Sequence, residues 1–470
     1  MTNKIPSLAD FSANSTTPSS RMAWTIALTV SLVAFLAPAL WNGFALVFFD
    51  TGGYVRRVLD ISLLPGRSLF YGLFLYGSSF GWWSFYGPIA VQSGATLWLV
   101  YLMLRCHGLA VGPKMIAFFC VGLSLATGLA WSAGQLMPDA LVPLVVLALW
   151  LLGFRLQQLR PFERAGLTVV ALLGLLSHMS GMALAIGLVV VILAARLIVS
   201  KRRLSLPVNW LPPLAVVMAG LVLMPMLHLL LVNKATYTPG GPVYIFGRLV
   251  QAGIAQRWLA EHCPVPGIKL CGLQKRIPKT GDEFLWGGTS PFKDLGEWTG
   301  TADAELGYLV KMCLKAYPGA VAITALQATA QQMFMVKTGD QLAEVHHDTR
   351  NVFINILPAR VGEAFAKARQ QQGGVTQPFF DALNRLHVPV AHFSVFCLLV
   401  VAGWGMRSGR HDLAAAAMFV LIALLGNAFI CGALSNPHDR YQSRLAWLGP
   451  LVVGMAAVGW WQLRAKTRLP

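Results

Sequence analysis

Residues 23–50 read AWTIALTVSLVAFLAPALWNGFALVFFD, and the reading of this stretch decides the fold. From Ala23 to Phe49 it carries no charged side chain, and it ends on the carboxylate of Asp50. A helix crosses the hydrocarbon core of a bilayer with about 20 apolar residues, so the run is long enough to span. The segment that follows, Asp50-Thr51-Gly52-Gly53-Tyr54, opens on an acid at the membrane boundary. A charge there is costly if it strays inward, which makes Asp50 a functional candidate by default. Two plainer readings stand beside that one: Asp50 marks the water interface, or it caps a helix beginning at Thr51.

Composition extends the same reading to the whole chain. Of 470 residues, 56% are hydrophobic and only 12% are charged. Soluble domains carry roughly 25% charged residues, so this chain cannot clothe a water-facing surface along its length. The expected fold class is an all-α polytopic membrane protein. The net charge of +18 invites a nucleic-acid partner, but that reading is rejected because the positive-inside rule accounts for much of the excess. The first run is too long for the apolar core of a cleavable signal, and a polar stretch precedes it, so it reads as a signal anchor.

Apolar segments recur at 23–49, 88–104, 115–131, 140–154, 165–176, 181–198, 211–232, 388–404, 413–434 and 446–461, which gives about ten transmembrane helices. Ser177-His178-Met179-Ser180 interrupts one apolar region, and its polarity favours two spans over one. With that split, the basic loops fall on one face: Lys4 and Arg21; Arg105 and Lys114; Arg155, Arg160 and Arg164; Arg196, Lys201, Arg202 and Arg203; Arg407 and Arg410; Arg464, Lys466 and Arg468. That face is expected to be cytoplasmic, with both termini on it.

The organisation expected is a cytoplasmic tail at 1–22, an N-terminal membrane domain at 23–232 with about seven spans, an extracytoplasmic domain at 233–387, a C-terminal membrane domain at 388–463 with about three spans, and a cytoplasmic tail at 464–470. The inserted region, between the seventh and eighth spans, holds most of the acids and is too long for a plain connection. Cys263 and Cys271 lie in it, and an oxidising outer compartment makes a disulfide between them plausible. Their spacing is not a standard zinc-ligand pair, and Cys313 in the same region leaves the pairing open.

Outside that region and the first tail the acids are few: Asp50, Asp60, Asp139, Glu163, Asp412 and Asp439. Glu163 and Asp412 fall among cytoplasmic arginines and are expected to be solvated. Asp50, Asp60, Asp139 and Asp439 share the outer face with His178, Arg56, Arg57, Arg67, Arg440 and Arg444. Carboxylates, guanidiniums and an imidazole at one level suit a phosphorylated or sugar substrate at the outer leaflet. Each residue also has a structural reading. Asp139 is well placed to cap the span at 140, His178 to hydrogen-bond between helices, and Arg440 and Arg444 to pair with Asp439 or reach for headgroups. No phosphate loop, dinucleotide fingerprint, HExxH or GxSxG motif competes.

Several of these segments together resemble the membrane-embedded GT-C glycosyltransferases of bacterial envelopes. Asp50-Thr51-Gly52-Gly53-Tyr54 is similar to the Asp-Ser/Thr-x-x-Tyr form of the first outer loop. Pro65-Gly66-Arg67-Ser68-Leu69-Phe70-Tyr71-Gly72 looks like the Arg-containing stretch that follows. Met137-Pro138-Asp139 resembles a Pro-Asp pair opening a middle span, His178 falls between short paired spans, and His438-Asp439-Arg440-Tyr441 resembles an Arg-Tyr motif before a late span. The resemblance covers the membrane half and not 233–387. It departs from members with two adjacent acids in the first outer loop, since the next acid here is Asp60; the need for a divalent cation is therefore left open. The resemblance implies a polyprenyl-phosphate-linked sugar as donor, a lipid or glycan acceptor, and a multi-pass protein of the bacterial cytoplasmic (inner) membrane, in contact with membrane lipids. Asp50 would be the catalytic base, with Tyr54, Arg56, Arg67, Asp139, His178, Arg440 and Tyr441 binding substrate. The competing readings are a transporter or lipid-linked glycan flippase, an envelope glycan polymerase or ligase, and a non-enzymatic scaffold. Span interiors nearly free of ionisable groups speak against a charged-substrate pathway.

Overall fold

A computed structural model describes residues 18–62, 66–202, 206–237, 240–298 and 300–467. Lys4, Pro65, Arg203 and Arg468, most of the expected tail at 1–22, and Thr238-Pro239 lie outside the described residues. Apart from one parallel bridge between Leu46 and Gln135, every regular element described is helical. Seven helices are long and apolar enough to cross a membrane, or eight if a pair bent by 102° at Tyr317 counts as one broken span. The chain is thus a multi-pass helical protein of membrane type.

The first helix, α1 (Pro18–Asn42), stops before its apolar sequence does. Gly43 takes φ +78°, a left-handed conformation that ends helices and suits glycine. Asn42 closes the turn by donating to the Phe44 carbonyl at 2.9 Å. Residues 44–48 therefore run extended, and Phe44 to Phe48 are buried side chains rather than a last helical turn. Then come α2 (Thr51–Asp60) and α3 (Leu69–Ser78), short and packed on each other, followed by α4 (Tyr86–Cys106) and α5 (Pro113–Ala126). Gly72 allows the approach of α2 and α3, because a Cβ there would lie 2.4 Å from the Tyr54 carbonyl oxygen.

The helix α6 (Val142–Phe154) is apolar all round, and all thirteen of its residues are buried. A helix with no polar face belongs at the centre of a bundle, and α6 is wrapped by α4, α7 (Pro161–Ser177), α8 (Met179–Arg202) and α9 (Leu211–Val232). The break expected at His178 is present: α7 ends at Ser177, His178 is extended, and α8 begins at Met179.

The polar stretch opens with α10 (Gly241–Gln251) and includes α11 (Gly300–Ala316). Val243, Phe246, Phe284, Phe292, Leu306 and Leu309 form a core of their own between them. Cys263 and Cys271 are disulfide-bonded and Cys313 is a buried free thiol. After a sharp bend, α12 (Pro318–Phe334) packs along a later span, α14 (His411–Ala433), with Ile323, Leu326 and Phe334 exposed on its other side. Val345, Phe353, Val361 and Phe365 join the main bundle core. The chain finishes with α13 (Gln377–Arg407), α14, α15 (Asp439–Ala446) and α16 (Leu448–Thr467). Arg440, Tyr441 and Arg444 lie on α15, whose first residue opens the last candidate span, and not in the loop before it.

Charged side chains gather at the two ends of the bundle. At one end Arg105 forks onto Glu163 with bonds of 2.7 and 2.6 Å, and Asp412 pairs with Arg155 and Arg410, each at 3.0 Å. Both acids, expected to be solvated, are instead drawn in: Glu163 is 2% exposed and Asp412 is half-buried between its arginines. The reason is that Glu163 also closes the start of α7 by accepting from the Arg160 N–H at 2.8 Å, which draws it under the helix end. At the other end of α6, roughly 24 Å away at 1.5 Å per residue, lie Asp139 and its partners.

Candidate functional site: an arginine-rich cluster around two acids

The extended segment after α1 is stitched to the turn before α6. Leu46 donates to Gly134 O at 2.9 Å and Leu136 donates to Leu46 O at 2.8 Å. Thr51 Oγ1 donates to Leu136 O at 3.0 Å and accepts from Phe48 N at 2.9 Å. Gln370 clamps the same segment from outside, accepting from Val47 N at 3.0 Å and donating to Val47 O at 2.6 Å. These bonds bring Asp50 and Asp139, 89 positions apart in sequence, to one end of the bundle.

Neither acid caps a helix. Asp50 precedes α2 but makes no side-chain cap bond. Its carboxylate instead bonds to Arg67 Nη2 and lies 3.9 Å from Arg440 Nη1. Asp139 sits inside the first turn of the helical segment rather than before it, and its Oδ1 accepts from Arg444 Nη1 at 2.9 Å. The Gly52-Gly53 pair has a steric cause. A Cβ at Gly52 would lie 2.6 Å from the Thr349 backbone, and one at Gly53 would lie 3.0 Å from the Arg67 side chain. Thr349 Oγ1 accepts from Gly52 N at 3.1 Å and donates to Phe49 O, so residues on both sides of Asp50 are held.

Arg444 is 1% exposed and is the hub of the inner half. Besides Asp139, its Nη1 donates to His178 Nε2 at 3.1 Å, and its Nη2 donates to Ser180 Oγ at 2.9 Å and Asn427 Oδ1 at 3.0 Å. Because His178 Nε2 accepts from a guanidinium, its proton is assigned to Nδ1, which faces Ser180 Oγ at 2.8 Å. His178 is thereby a neutral positioning group behind Arg444.

Arg440 joins the two halves. Its guanidinium lies 4.1 Å from the Phe48 ring centroid, its Nη2 donates to Tyr441 Oη at 3.3 Å, and its backbone N–H donates to Asp340 at 3.2 Å. Arg440 Nη1 is buried and has no hydrogen-bond acceptor among the described residues. It lines a cavity of about 40 Å³ with Asp139, Arg444, Asp340, Gln135 and Ser443, room enough for a few waters. Tyr54 is buried beside Tyr71, their rings 5.0 Å apart. Burial and the Asp50 charge push the Tyr54 phenol well above its usual range, so it stays a protonated donor. The polar body reaches over Arg67, whose guanidinium stands 5.6 Å from the Trp286 ring centroid.

Of the residues singled out in the sequence, Asp50, Tyr54, Arg67, Asp139, His178, Arg440 and Tyr441 are brought together. Arg56 is not: no ion pair or hydrogen bond ties it to the cluster, and it is Arg57 that turns inward, with Nε and Nη1 buried and without a partner. Arg444, Asp340, Thr349 and Gln370 were missed as site residues. Only Arg444 carried a signal, one turn beyond Arg440 on the same helix face. The donor set does not fit a divalent cation, since Asp50 and Asp139 are already shared among Arg67, Arg440 and Arg444. Among the described residues no three His, Cys, Asp or Glu side chains gather as metal ligands.

Comparisons with protein-family models, curated proteins and solved structures found no match.

Proposed function

We propose that the chain is an integral membrane glycosyltransferase of GT-C type, which moves a sugar from a polyprenyl-phosphate donor to a lipid or glycan acceptor of the envelope. The observation that carries the proposal is the convergence of Arg67, Arg440 and Arg444 around Asp50 and Asp139, with Asp340 taken by the Arg440 backbone N–H and Arg440 Nη1 buried and lacking an acceptor among the described residues. Arg440 Nη1 thus offers an unmet N–H donor at the cavity, and a guanidinium fork suits phosphate oxygens. A donor phosphate entering between Arg67 and Arg440 competes with Asp50 for both. That exchange frees the Asp50 carboxylate to take the proton of the acceptor hydroxyl. The acceptor oxygen then bonds to the anomeric carbon, the bond from that carbon to the phosphate oxygen breaks, and polyprenyl phosphate leaves with the electron pair. Tyr54 and Tyr441 supply hydroxyls from within the cluster, and His178 and Asp139 hold Arg444 in place.

On this reading the shorter helices α5, α6 and α7 also traverse the bundle, giving ten passes, with both termini cytoplasmic and the polar region outside a bacterial inner membrane. The charge map of the loops supports that orientation, as does a disulfide on the side of the acids. The test uses the full chain in lipid nanodiscs with a polyprenyl-phosphate sugar. Asp50→Asn and Arg440→Ala are expected to lower transfer at least about 100-fold, the low end of a general-base contribution. If both variants insert normally and transfer at the wild-type rate, the proposal is wrong; flux of a lipid-linked glycan without bond exchange would favour the flippase.

A further inference from the structure

Beside the arginine cluster lies a second cavity, a groove of about 500 Å³. One wall is the end of α10 with Arg248 and Gln251, another is the exposed face of α12 with Gln327 and Gln331, and Asp282 and Asn436 close it. Gln327 and Gln331 are four residues apart and project from the same side of α12.

The chemistry of the lining selects among ligands. Its one arginine and one acid balance, and both are engaged: Arg248 Nη2 donates to Thr324 O at 3.1 Å, and Asp282 Oδ1 accepts from Asn436 Nδ2 at 2.9 Å. A phosphate would need surplus positive charge, and a lipid chain would need an apolar wall; the groove supplies neither. What it does supply is carboxamides, each a donor and an acceptor, which match groups that are themselves both donor and acceptor, such as sugar hydroxyls. Asn436 is 7% exposed and its Oδ1 has no donor among the described residues, an unmet need that a ligand hydroxyl would fill.

The groove is coupled to the cluster. Asp282 Oδ2 lies 3.3 Å from His438 Nε2. Gln332, next to Gln331, donates to His438 O at 2.8 Å and accepts from His438 N at 2.9 Å. Arg440 follows two residues later. We propose that this groove binds the uncharged, hydroxyl-rich portion of a glycan and holds it beside the arginine cluster. That the glycan is the acceptor rests on the transferase reading; that the groove binds it does not.

The experiment therefore measures binding without donor or turnover. The full chain in nanodiscs is applied to an array of immobilised neutral, acidic and phosphorylated oligosaccharides. Binding to neutral oligosaccharides is expected, falling at least about tenfold in Gln331→Ala and in Asn436→Ala, and abolished in Gln327→Trp, which fills the groove. Gln327 and Gln331 are exposed, so their variants test the site without disturbing a core; size-exclusion profiles check this. Retention only on charged saccharides, retention on none, or neutral binding that survives both Gln331→Ala and Gln327→Trp overturns the proposal. Asp50→Asn should bind as the wild type does. Groove-dependent binding together with undiminished transfer by Asp50→Asn would sink the catalytic reading and leave the groove standing. Loss of transfer in Asp50→Asn with no neutral binding would do the reverse.

Discussion

Asp50 and Asp139 each stand where a helix could use a cap, and in both places the sequence is good capping chemistry. In the folded chain arginines take both carboxylates away from that task. For Asp139 the exchange is buried, and it sets a clear expectation. Arg444→Ala leaves a carboxylate enclosed without its counter-charge, a loss of about 3–5 kcal/mol, to be seen as a lower Tm of the solubilised protein. Pairing Asp139→Leu with Arg444→Met removes both charges and should recover much of that loss, so the double-mutant cycle should show strong coupling. Independent, additive effects would mean the pair is not what holds the two segments together. Gly52 sets a second expectation. Gly52→Ala forces Thr349 away from the Asp50 turn, so activity should fall further than Tm, whereas Gly43→Asn, at a left-handed position with open space around it, should be mild.

At the scale of elements, the connection between α14 and α15 transmits the polar body to the cluster. The Asp282 carboxylate is held below its usual range, chiefly by the His438 imidazole and helped by Asn436 against the cost of burial. A depressed folded value means the stabilisation is fully present above the unfolded carboxylate pKa of about 3.9 and disappears as pH falls through the lower folded value. The Tm advantage of wild type over Asp282→Asn should therefore be present near pH 7 and vanish in strong acid; an advantage that persisted there would exclude the hydrogen bond between His438 and the Asp282 carboxylate as its source. The same scale shows why apolar runs and helices differ. The run at 23–49 does not reveal that α1 stops at Asn42, since the stop depends on a glycine turn and on Gln370, more than 300 residues away, which receives the extended segment. Likewise the hydropathy of 140–154 marks a span without saying which neighbours cover it, and in the fold every residue of α6 is buried.

Across the whole molecule the two charged ends make a topological statement that can be measured. In intact cells or sealed vesicles, single cysteines placed at Gly108 and Gln158, near Arg105, should react with a membrane-impermeant thiol reagent from one side. Cysteines at Gly288 and Gly373 should react from the other. Labelling of Gly108 and Gly288 positions from the same side would require an even number of crossings between them, where the ten-pass reading has five, and would undo that reading.

The sequence by itself determined the class of the protein. Hydropathy and low charge demand a helical solution in lipid, because only a helix of this kind satisfies its own backbone there, and the break at His178 is visible in its polar side chains. It also brought forward most of the cluster, since ionisable groups near span ends are rare enough to stand out. Tertiary structure alone decided which groups pair. Arg444 rather than Arg440 holds Asp139, Arg57 rather than Arg56 turns inward, and Glu163 is buried and Asp412 half-buried and ion-paired instead of solvated. The physical reason is the same in each case. Apart from Arg410 with Asp412, the charge partners named here lie tens to hundreds of residues apart, and which guanidinium meets which carboxylate depends on helix rotation and on close approaches such as Gly52 to Thr349, which no local spacing encodes.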